Sequence, residues 1–126
     1  MDNLFIEKTN RTPKISLNKE TGQLSFKGRS LPEDSAAFYK PVFEWLNQYT
    51  QNLPTKTDVL FELDYFNTSS AKAIFSIFVK LDELFQTSHP ISIRWNYDEE
   101  DEGMKDLGEE YQDLFKIPIQ LVKIEE

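Results

Sequence analysis

Between Asp58 and Phe85 the hydrophobic pattern changes its period, and this change restricts the possible folds. Apolar side chains first alternate with polar ones, as in a β-strand with one face in the core: Val59, Phe61, Leu63 and Tyr65. They then recur at three-and-four spacing, which is typical of an amphipathic helix: Ile74, Ile77, Phe78, Leu81, Leu84 and Phe85. Asn67-Thr68-Ser69-Ser70 therefore forms a strand-to-helix turn, and alternation places Phe66 on the other face of the strand, with Glu62 and Asp64.

This turn is the place where we expect any chemistry of the chain. Its four small polar residues can accept hydrogen bonds from the free amide groups of the first helical turn. The positive end of the helix dipole also favours a negative group there, such as a phosphate or a carboxylate.

The remaining patterns predict a mixed α/β fold of order βββαβαβαβ. A helix is expected to begin at Ser30, where Ser30 and Glu33 have capping-box spacing, and Pro41 should kink or split it. Another helix should follow an acidic start and continue through Met104 to Phe115. Strands are predicted at residues 4–6, 14–18, 23–27, 58–66, 91–97 and 117–121.

The helix between the strands at 58–66 and 91–97 predicts a right-handed crossover, with these two strands as parallel neighbours. Pro118 suits an edge position for the last strand. We therefore expect one domain over residues 1–126, in which helices lie mainly on one face of a mixed sheet.

Composition and charge exclude several classes of function and partner. The chain lacks cysteine, a secretory leader and an apolar run long enough to span a bilayer, so we expect a cytoplasmic protein without a membrane partner. Its net charge is −8: residues 1–97 hold eleven basic and eleven acidic side chains, whereas residues 98–126 hold three and eleven. This balance argues against nucleic-acid binding and favours a neutral or basic partner surface.

The carboxyl ends of parallel strands meet at one edge of a sheet, so the turn should lie near Tyr97 and the acidic run Asp98–Glu102. Three interpretations remain open from the residues. In the first, the turn is an ordinary helix cap and the acidic run is a solvated helix start. In the second, the acidic run binds a hard cation, although its spacing does not match the calcium loop. In the third, Thr68 accepts a phosphate that changes the charge of this edge. Catalysis is not expected, because the single histidine, His89, lies at the far end of the long helix.

Four motifs in order resemble the SiaC family of bacterial regulatory phosphoproteins, whose fold is similar to that of STAS-type anti-sigma factor antagonists. The resemblance covers nearly the whole chain. It rests on Gly28-Arg-Ser-Leu-Pro-Glu33, on Phe38-Tyr39 with Pro41 and Trp45-Leu46, on Tyr65-Phe66-Asn67-Thr68-Ser69-Ser70, and on Trp95, Tyr97-Asp98-Glu99-Glu100-Asp101-Glu102 and Met104 followed by Gly108-Glu109.

The resemblance selects Thr68 from three neighbouring hydroxyls. It implies a non-enzymatic, partner-switching protein without a cofactor or metal, phosphorylated at Thr68 by an HPK-like serine/threonine kinase and dephosphorylated by a PP2C-type phosphatase. The unphosphorylated form would bind and activate an output protein such as a diguanylate cyclase, raising cyclic di-GMP and favouring biofilm. Partner-binding residues are expected around Thr68: Tyr65, Phe66, Asn67, Ser69, Ser70, Tyr97, Asp98 and Asp101. Open alternatives are a divalent-cation-binding protein that uses Asp98–Glu102 and a STAS-like scaffold that is not phosphorylated.

Overall fold

The computed structural model describes residues 2–125 and contains six strands and three helices in the predicted order. The strands are β1 (Leu4–Ile6), β2 (Lys14–Leu17), β3 (Gln23–Ser30), β4 (Thr57–Phe66), β5 (Ile91–Asp98) and β6 (Ile119–Ile124). The helices are α1 (Ser35–Tyr49), α2 (Thr68–Gln86) and α3 (Glu102–Leu114).

The six strands form one sheet in chain order, β1-β2-β3-β4-β5-β6. β1, β2 and β3 pair antiparallel, whereas β3, β4, β5 and β6 pair parallel. The predicted parallel pairing is confirmed, because β4 and β5 are parallel neighbours that α2 connects. β6 lies at the edge of the sheet directly after Pro118, as the sequence predicted.

One face of the sheet carries the core and the other faces solvent. Side chains of β4 and β5 at alternate positions, such as Phe61 and Trp95, are buried against the helices, whereas Asp58 and Arg94 on the opposite face are exposed. Aromatic rings join the two layers: Phe61 stacks on Phe78 of α2 at 4.7 Å between ring centroids. The predicted arrangement, with helices on one face of a mixed sheet, is confirmed.

Helix α1 begins at Ser35, so the predicted start at Ser30 is wrong. Ser30 is the last residue of β3 and pairs with Phe66 of β4, and its hydroxyl is buried in side-chain hydrogen bonds. Asp34 provides the cap instead, because its Oδ1 accepts the backbone N–H of Ala37 at 3.1 Å.

Pro41 lies inside α1, which continues from Ser35 to Tyr49, so the helix is not split there. A proline removes one helical hydrogen bond and leaves the carbonyl four residues earlier without its partner. Here both Pro41 and Ala37, which carries that carbonyl, are exposed, so water can satisfy the group.

An irregularity in the pairing of β3 with β4 reverses the alternation at the end of β4. Gly28 pairs with Leu63 and Arg29 pairs with Tyr65, so Asp64 is an extra residue in β4. Such a bulge shifts every later side chain to the other face. Tyr65 is 55% exposed and Phe66 packs against the core, so the predicted faces of these two residues are wrong.

Candidate functional site

The strand-to-helix turn is present, and Asn67 is its cap. Asn67 Oδ1 accepts the backbone N–H of Ser70 at 2.9 Å and the hydroxyl of Ser69 at 3.2 Å. Thr68 is therefore the first helical residue of α2. We name Asn67, Thr68, Ser69 and Ser70 the switch turn.

The three hydroxyls of the switch turn have different surroundings. Ser70 is fully buried, and its hydroxyl lies 2.8 Å from that of Ser30 and 3.2 Å from that of Ser35. The Ser69 hydroxyl lies 2.8 Å from that of Ser35. Thr68 is exposed, and its hydroxyl makes no hydrogen bond to any of residues 2–125. Thr68 is thus the residue of the three whose oxygen is both accessible and uncommitted.

A buried hydroxyl network continues from the turn into the fold. The Ser30 hydroxyl donates to Ser70 and lies 2.6 Å from the hydroxyl of Tyr39 in α1. Burial raises the pKa of Tyr39 above its ordinary value, an effect that the hydrogen bond with Ser30 partly opposes, so this side chain stays neutral at physiological pH. The network, which comprises Ser30, Ser35, Tyr39, Ser69 and Ser70, joins the end of β3 to the starts of α1 and α2.

Sequence reasoning missed this network. Ser30 was assigned to a helix cap, and neither Ser35 nor Tyr39 has a spacing that relates it to the switch turn. Their hydroxyls meet because β3 and β4 are parallel neighbours and end together, which a sequence pattern does not reveal.

The acidic run lies beside the end of β4, as the topology predicted. Tyr65 and Phe66 line one shallow depression together with Asp101 and Met104 of the α3 start. Asp98 and Asp101 line a second depression with Asp64. The structure thus brings Tyr65, Phe66, Asp98 and Asp101 together at one end of the sheet.

Four predicted partner-binding residues line neither depression: Asn67, Ser69, Ser70 and Tyr97. Ser69 lies on the other side of α2, in a groove that it shares with Glu33, Asp34 and Lys72. Tyr97 is half-buried and packs against the core. Ser70 is fully buried, so a partner cannot touch it directly. A partner that contacts the other predicted residues would have to reach both sides of the α2 start.

The acidic side chains have structural functions of their own. Asp101 caps α3, because its Oδ1 accepts the backbone N–H of Met104 at 3.0 Å. Asp98 Oδ1 accepts the backbone N–H of Glu100 at 2.9 Å. Within residues 2–125, no three carboxylate or imidazole side chains converge in a way that could hold a metal ion. This arrangement does not favour the cation-binding alternative.

The fold and the switch turn define a class: a mixed α/β protein in which an exposed threonine begins a helix close to a group of acidic side chains. The chain belongs to the SiaC family of regulatory phosphoproteins, whose family model matches residues 6–124. It is therefore a regulatory protein and not an enzyme.

Relatives and solved structures agree with this assignment. An uncharacterized protein of Pseudomonas aeruginosa (strain UCBPP-PA14) is 34% identical over 118 residues, which cover 94% of each chain. The crystal structure of apo-SiaC from P. aeruginosa is 31% identical with a TM-score of 0.88, and the match covers 97% of this chain and 99% of that one.

A second solved structure contains a partner. It is the P. aeruginosa diguanylate cyclase SiaD in complex with its activator SiaC, and the match has a TM-score of 0.90 at 32% identity, covering 96% of this chain and 99% of the matched one. In that organism the SiaC protein is thus the activating partner of a cyclase. Of the helices formed by residues 2–125, none has both the length and the apolar character needed to cross a membrane.

Proposed function

We propose that this protein is a cytoplasmic partner-switching adaptor controlled by phosphorylation of Thr68. An HPK-like serine/threonine kinase adds the phosphate and a PP2C-type phosphatase removes it. The unphosphorylated form binds and activates a diguanylate cyclase, so the phosphate controls cyclic di-GMP and, through it, biofilm formation. The complex of the P. aeruginosa relatives supports a cyclase as the output protein.

The observation that carries the proposal is the contrast among the three hydroxyls of the switch turn. A kinase needs an accessible side-chain oxygen. Burial removes Ser70 from consideration, and Ser69 donates to Asn67 and contacts Ser35. Thr68 is exposed and its hydroxyl makes no hydrogen bond within residues 2–125, so this oxygen is accessible to a kinase for phosphoryl transfer. Geometry and family resemblance therefore favour the same residue by independent arguments.

The surroundings of Thr68 explain why a phosphate would act as a switch. A phosphate adds nearly two negative charges at pH 7. The helix start tolerates them, because the dipole and the free amide groups favour an anion there. The nearby depressions already contain Asp64, Asp98 and Asp101, and the groove on the other side contains Glu33 and Asp34. The modified turn therefore stays folded but presents a much more negative surface to a partner.

We propose that the partner-binding surface includes the residues on both sides of Thr68. Tyr65 supplies an exposed ring, whereas Phe66 packs against the core and anchors the end of β4. Asn67, Ser69 and Ser70 act by holding the turn, whereas Asp98, Asp101 and the half-buried Tyr97 shape the acidic side.

Intact mass and site mapping provide the direct test of the modification. The protein is isolated from its native host, and in parallel the purified protein is incubated with the kinase encoded nearest its gene. We expect one phosphate, on Thr68. A phosphate on Ser69 or Ser70 with Thr68 unmodified would contradict the site assignment, and no phosphate under either condition would favour the unmodified scaffold.

Charge variants test the switch. We expect Thr68→Ala to keep cyclase binding and Thr68→Glu to lose it, because only glutamate adds a charge to the turn. Binding is measured by titration calorimetry with the host's diguanylate cyclase. Thr55→Glu is the matched control: it adds the same charge at an exposed threonine in the loop before β4, at the opposite end of that strand. Equal binding by Thr68→Ala and Thr68→Glu would exclude the charge mechanism.

A further inference from the structure

Each hydroxyl of the network beneath the switch turn has a single proton to donate, and this limit gives the network a direction. At its inner end the Ser30 hydroxyl donates to Ser70, so the Ser30 proton is already used. Tyr39 must therefore be the donor in the 2.6 Å contact between its hydroxyl and that of Ser30. The hydrogen bonds thus run from Tyr39 of α1 towards the switch turn.

The outer end of the network follows the same rule. The Ser69 hydroxyl donates to Asn67 Oδ1, so Ser35 is the donor in the 2.8 Å contact between the Ser35 and Ser69 hydroxyls. The Ser35 proton is then used, and Ser70 is the donor in its 3.2 Å contact with Ser35. Every hydroxyl proton of the network is used in one series of donors, which passes in order through Tyr39, Ser30, Ser70, Ser35, Ser69 and Asn67.

Ser69 is the exposed member of this network, and two unequal hydrogen bonds hold its hydroxyl. The bond from Ser35 is 2.8 Å long, whereas the bond to Asn67 Oδ1 is 3.2 Å long. Hydrogen bonds between a hydroxyl and an oxygen are usually about 2.5–3.0 Å long, so the bond from Ser35 is the stronger of the two. Ser35 is itself buried, at the first position of α1, and Ser70 fixes its hydroxyl from the other side. Ser35 is therefore a rigid donor to Ser69.

These two bonds occupy the parts of the Ser69 hydroxyl that phosphoryl transfer requires. In the transfer, a hydroxyl oxygen forms a bond to the γ-phosphorus of a nucleoside triphosphate held by the kinase. The bond from that phosphorus to the bridging oxygen of the β-phosphate breaks, and the hydroxyl proton passes to a base of the kinase. Ser35 occupies a lone pair of the Ser69 oxygen, and Asn67 accepts the Ser69 proton.

We infer that Ser35 is a positioning residue that determines which hydroxyl of the switch turn is phosphorylated. Its hydroxyl holds Ser69 in an orientation that does not suit transfer, so Thr68 remains the acceptor. This inference rests on the proposed function and adds a specificity determinant from another element, 34 residues before Ser69. Without the Ser35 hydroxyl, Ser69 keeps only the longer bond to Asn67, and its exposed side chain can rotate towards a kinase.

The test compares Thr68→Ala, which removes the preferred acceptor, with the double variant Thr68→Ala, Ser35→Ala. Each protein is incubated with ATP and the kinase encoded nearest its gene, and the modified residue is mapped by mass spectrometry. We expect phosphate on Ser69 of the double variant at a rate at least about fivefold above that of Thr68→Ala, the change that one hydrogen bond of ordinary strength produces. Thr68→Ala, Ser76→Ala is the matched control. Ser76 is an exposed serine that lines the same groove as Ser35 and Ser69, and its loss should not raise the rate.

Circular dichroism and a thermal melt verify that the variants fold. Ser35→Cys keeps the size of the side chain with only a weak donor, and it replaces Ser35→Ala if the alanine variant does not fold.

The outcomes separate the inference from the switch. Wild-type protein phosphorylated on Thr68, with Ser69 modified at the same rate in Thr68→Ala and in the double variant, would overturn the positioning function and leave the switch in place. Absence of phosphate on Ser69 of the double variant would do the same, because the kinase alone would then select Thr68. Wild-type protein that acquires no phosphate would overturn the proposed function and this inference together.

Discussion

Asn67 organises the switch turn through one side-chain oxygen. Because that oxygen accepts both the Ser70 amide and the Ser69 hydroxyl, the cap fixes the two serines while Thr68 stays exposed between the cap and Ser69. The sequence predicted a capped helix start here without deciding among Asn67, Thr68 and Ser69 as the cap. Each of the three residue types can cap a helix, and only the backbone conformation distinguishes them.

Replacement of Asn67 should affect the helix cap without changing Thr68, the proposed phosphorylation site. We expect Asn67→Ala to lower the free energy of unfolding by about 1 kcal/mol, because the Ser70 amide loses its acceptor. Asn67→Asp keeps an acceptor, so its free energy of unfolding should lie within about 0.5 kcal/mol of the wild-type value. Urea denaturation of the three proteins measures both values, and equal stability of Asn67→Ala and the wild type would contradict the capping function.

At the scale of the element, local periodicity predicted most of the fold. The order of strands and helices, the crossover through α2 and the edge position of β6 all follow from hydrophobic patterns that each element carries by itself. The wrong predictions concern segments whose local structure is determined by pairing with a neighbouring element. The bulge at Asp64 depends on pairing with β3, where Gly28 has a φ of 120°, a conformation that glycine adopts readily. Alternation read from β4 alone therefore assigned Tyr65 to the core.

The start of α1 shows the same limit. Ser30 and Glu33 satisfy the spacing of a capping box, but the pattern does not reveal that β3 extends to Ser30. Tertiary pairing takes the Ser30 hydroxyl into the buried network, and Asp34 then caps the helix. The sequence thus predicted the switch turn, which one segment forms. It did not predict the hydroxyl network, in which the end of β3 meets the starts of α1 and α2.

Gly108 allows α3 to approach the sheet, and its replacement provides a test at this scale. A Cβ atom built there would lie 2.7 Å from Cδ1 of Trp95 and 2.5 Å from Cδ2 of Leu121. We expect Gly108→Ala to destabilise the protein by about 1–3 kcal/mol through overpacking, although alanine favours helix.

Gly103→Ala is the control for this substitution. Gly103 lies in the first turn of the same helix, and the nearest atom to its added Cβ would be Asp101 Oδ1 at 3.6 Å, an ordinary contact. This variant should be neutral or more stable by up to about 1 kcal/mol. Thermal unfolding compares the two variants, and a stabilising effect of Gly108→Ala would show that α3 can move away from Trp95.

At the scale of the whole molecule, polar networks occupy the two opposite ends of β4. The switch turn follows its last residue. Near its first residue, the Thr57 hydroxyl lies 2.6 Å from the Tyr49 hydroxyl and 2.8 Å from Nε2 of His89. β4 is ten residues long, about 33 Å, which is several times the Debye length of about 8 Å at physiological ionic strength, so a charge placed at one end has little direct effect on the other.

His89 gives the far network a pH dependence. Burial lowers the pKa of His89 below its ordinary value of 6.5, so the folded protein favours the neutral ring. The resulting stability is present above pH 6.5 and is lost as the pH falls from about 6.5 through the lower pKa of the folded state. Between pH 7.5 and 5.5 we therefore expect the wild type to lose more stability than His89→Gln. Urea unfolding at several pH values checks this, and identical pH profiles would contradict it.

Because Ser70 is buried and the Ser69 hydroxyl is hydrogen-bonded, the proposed phosphorylation would add a single phosphate to the switch turn. A folded turn with one free hydroxyl exists in two forms only, modified or unmodified. Under the proposed function, each molecule therefore carries a binary signal. A graded cellular output would then arise from the fraction of molecules that carry the phosphate.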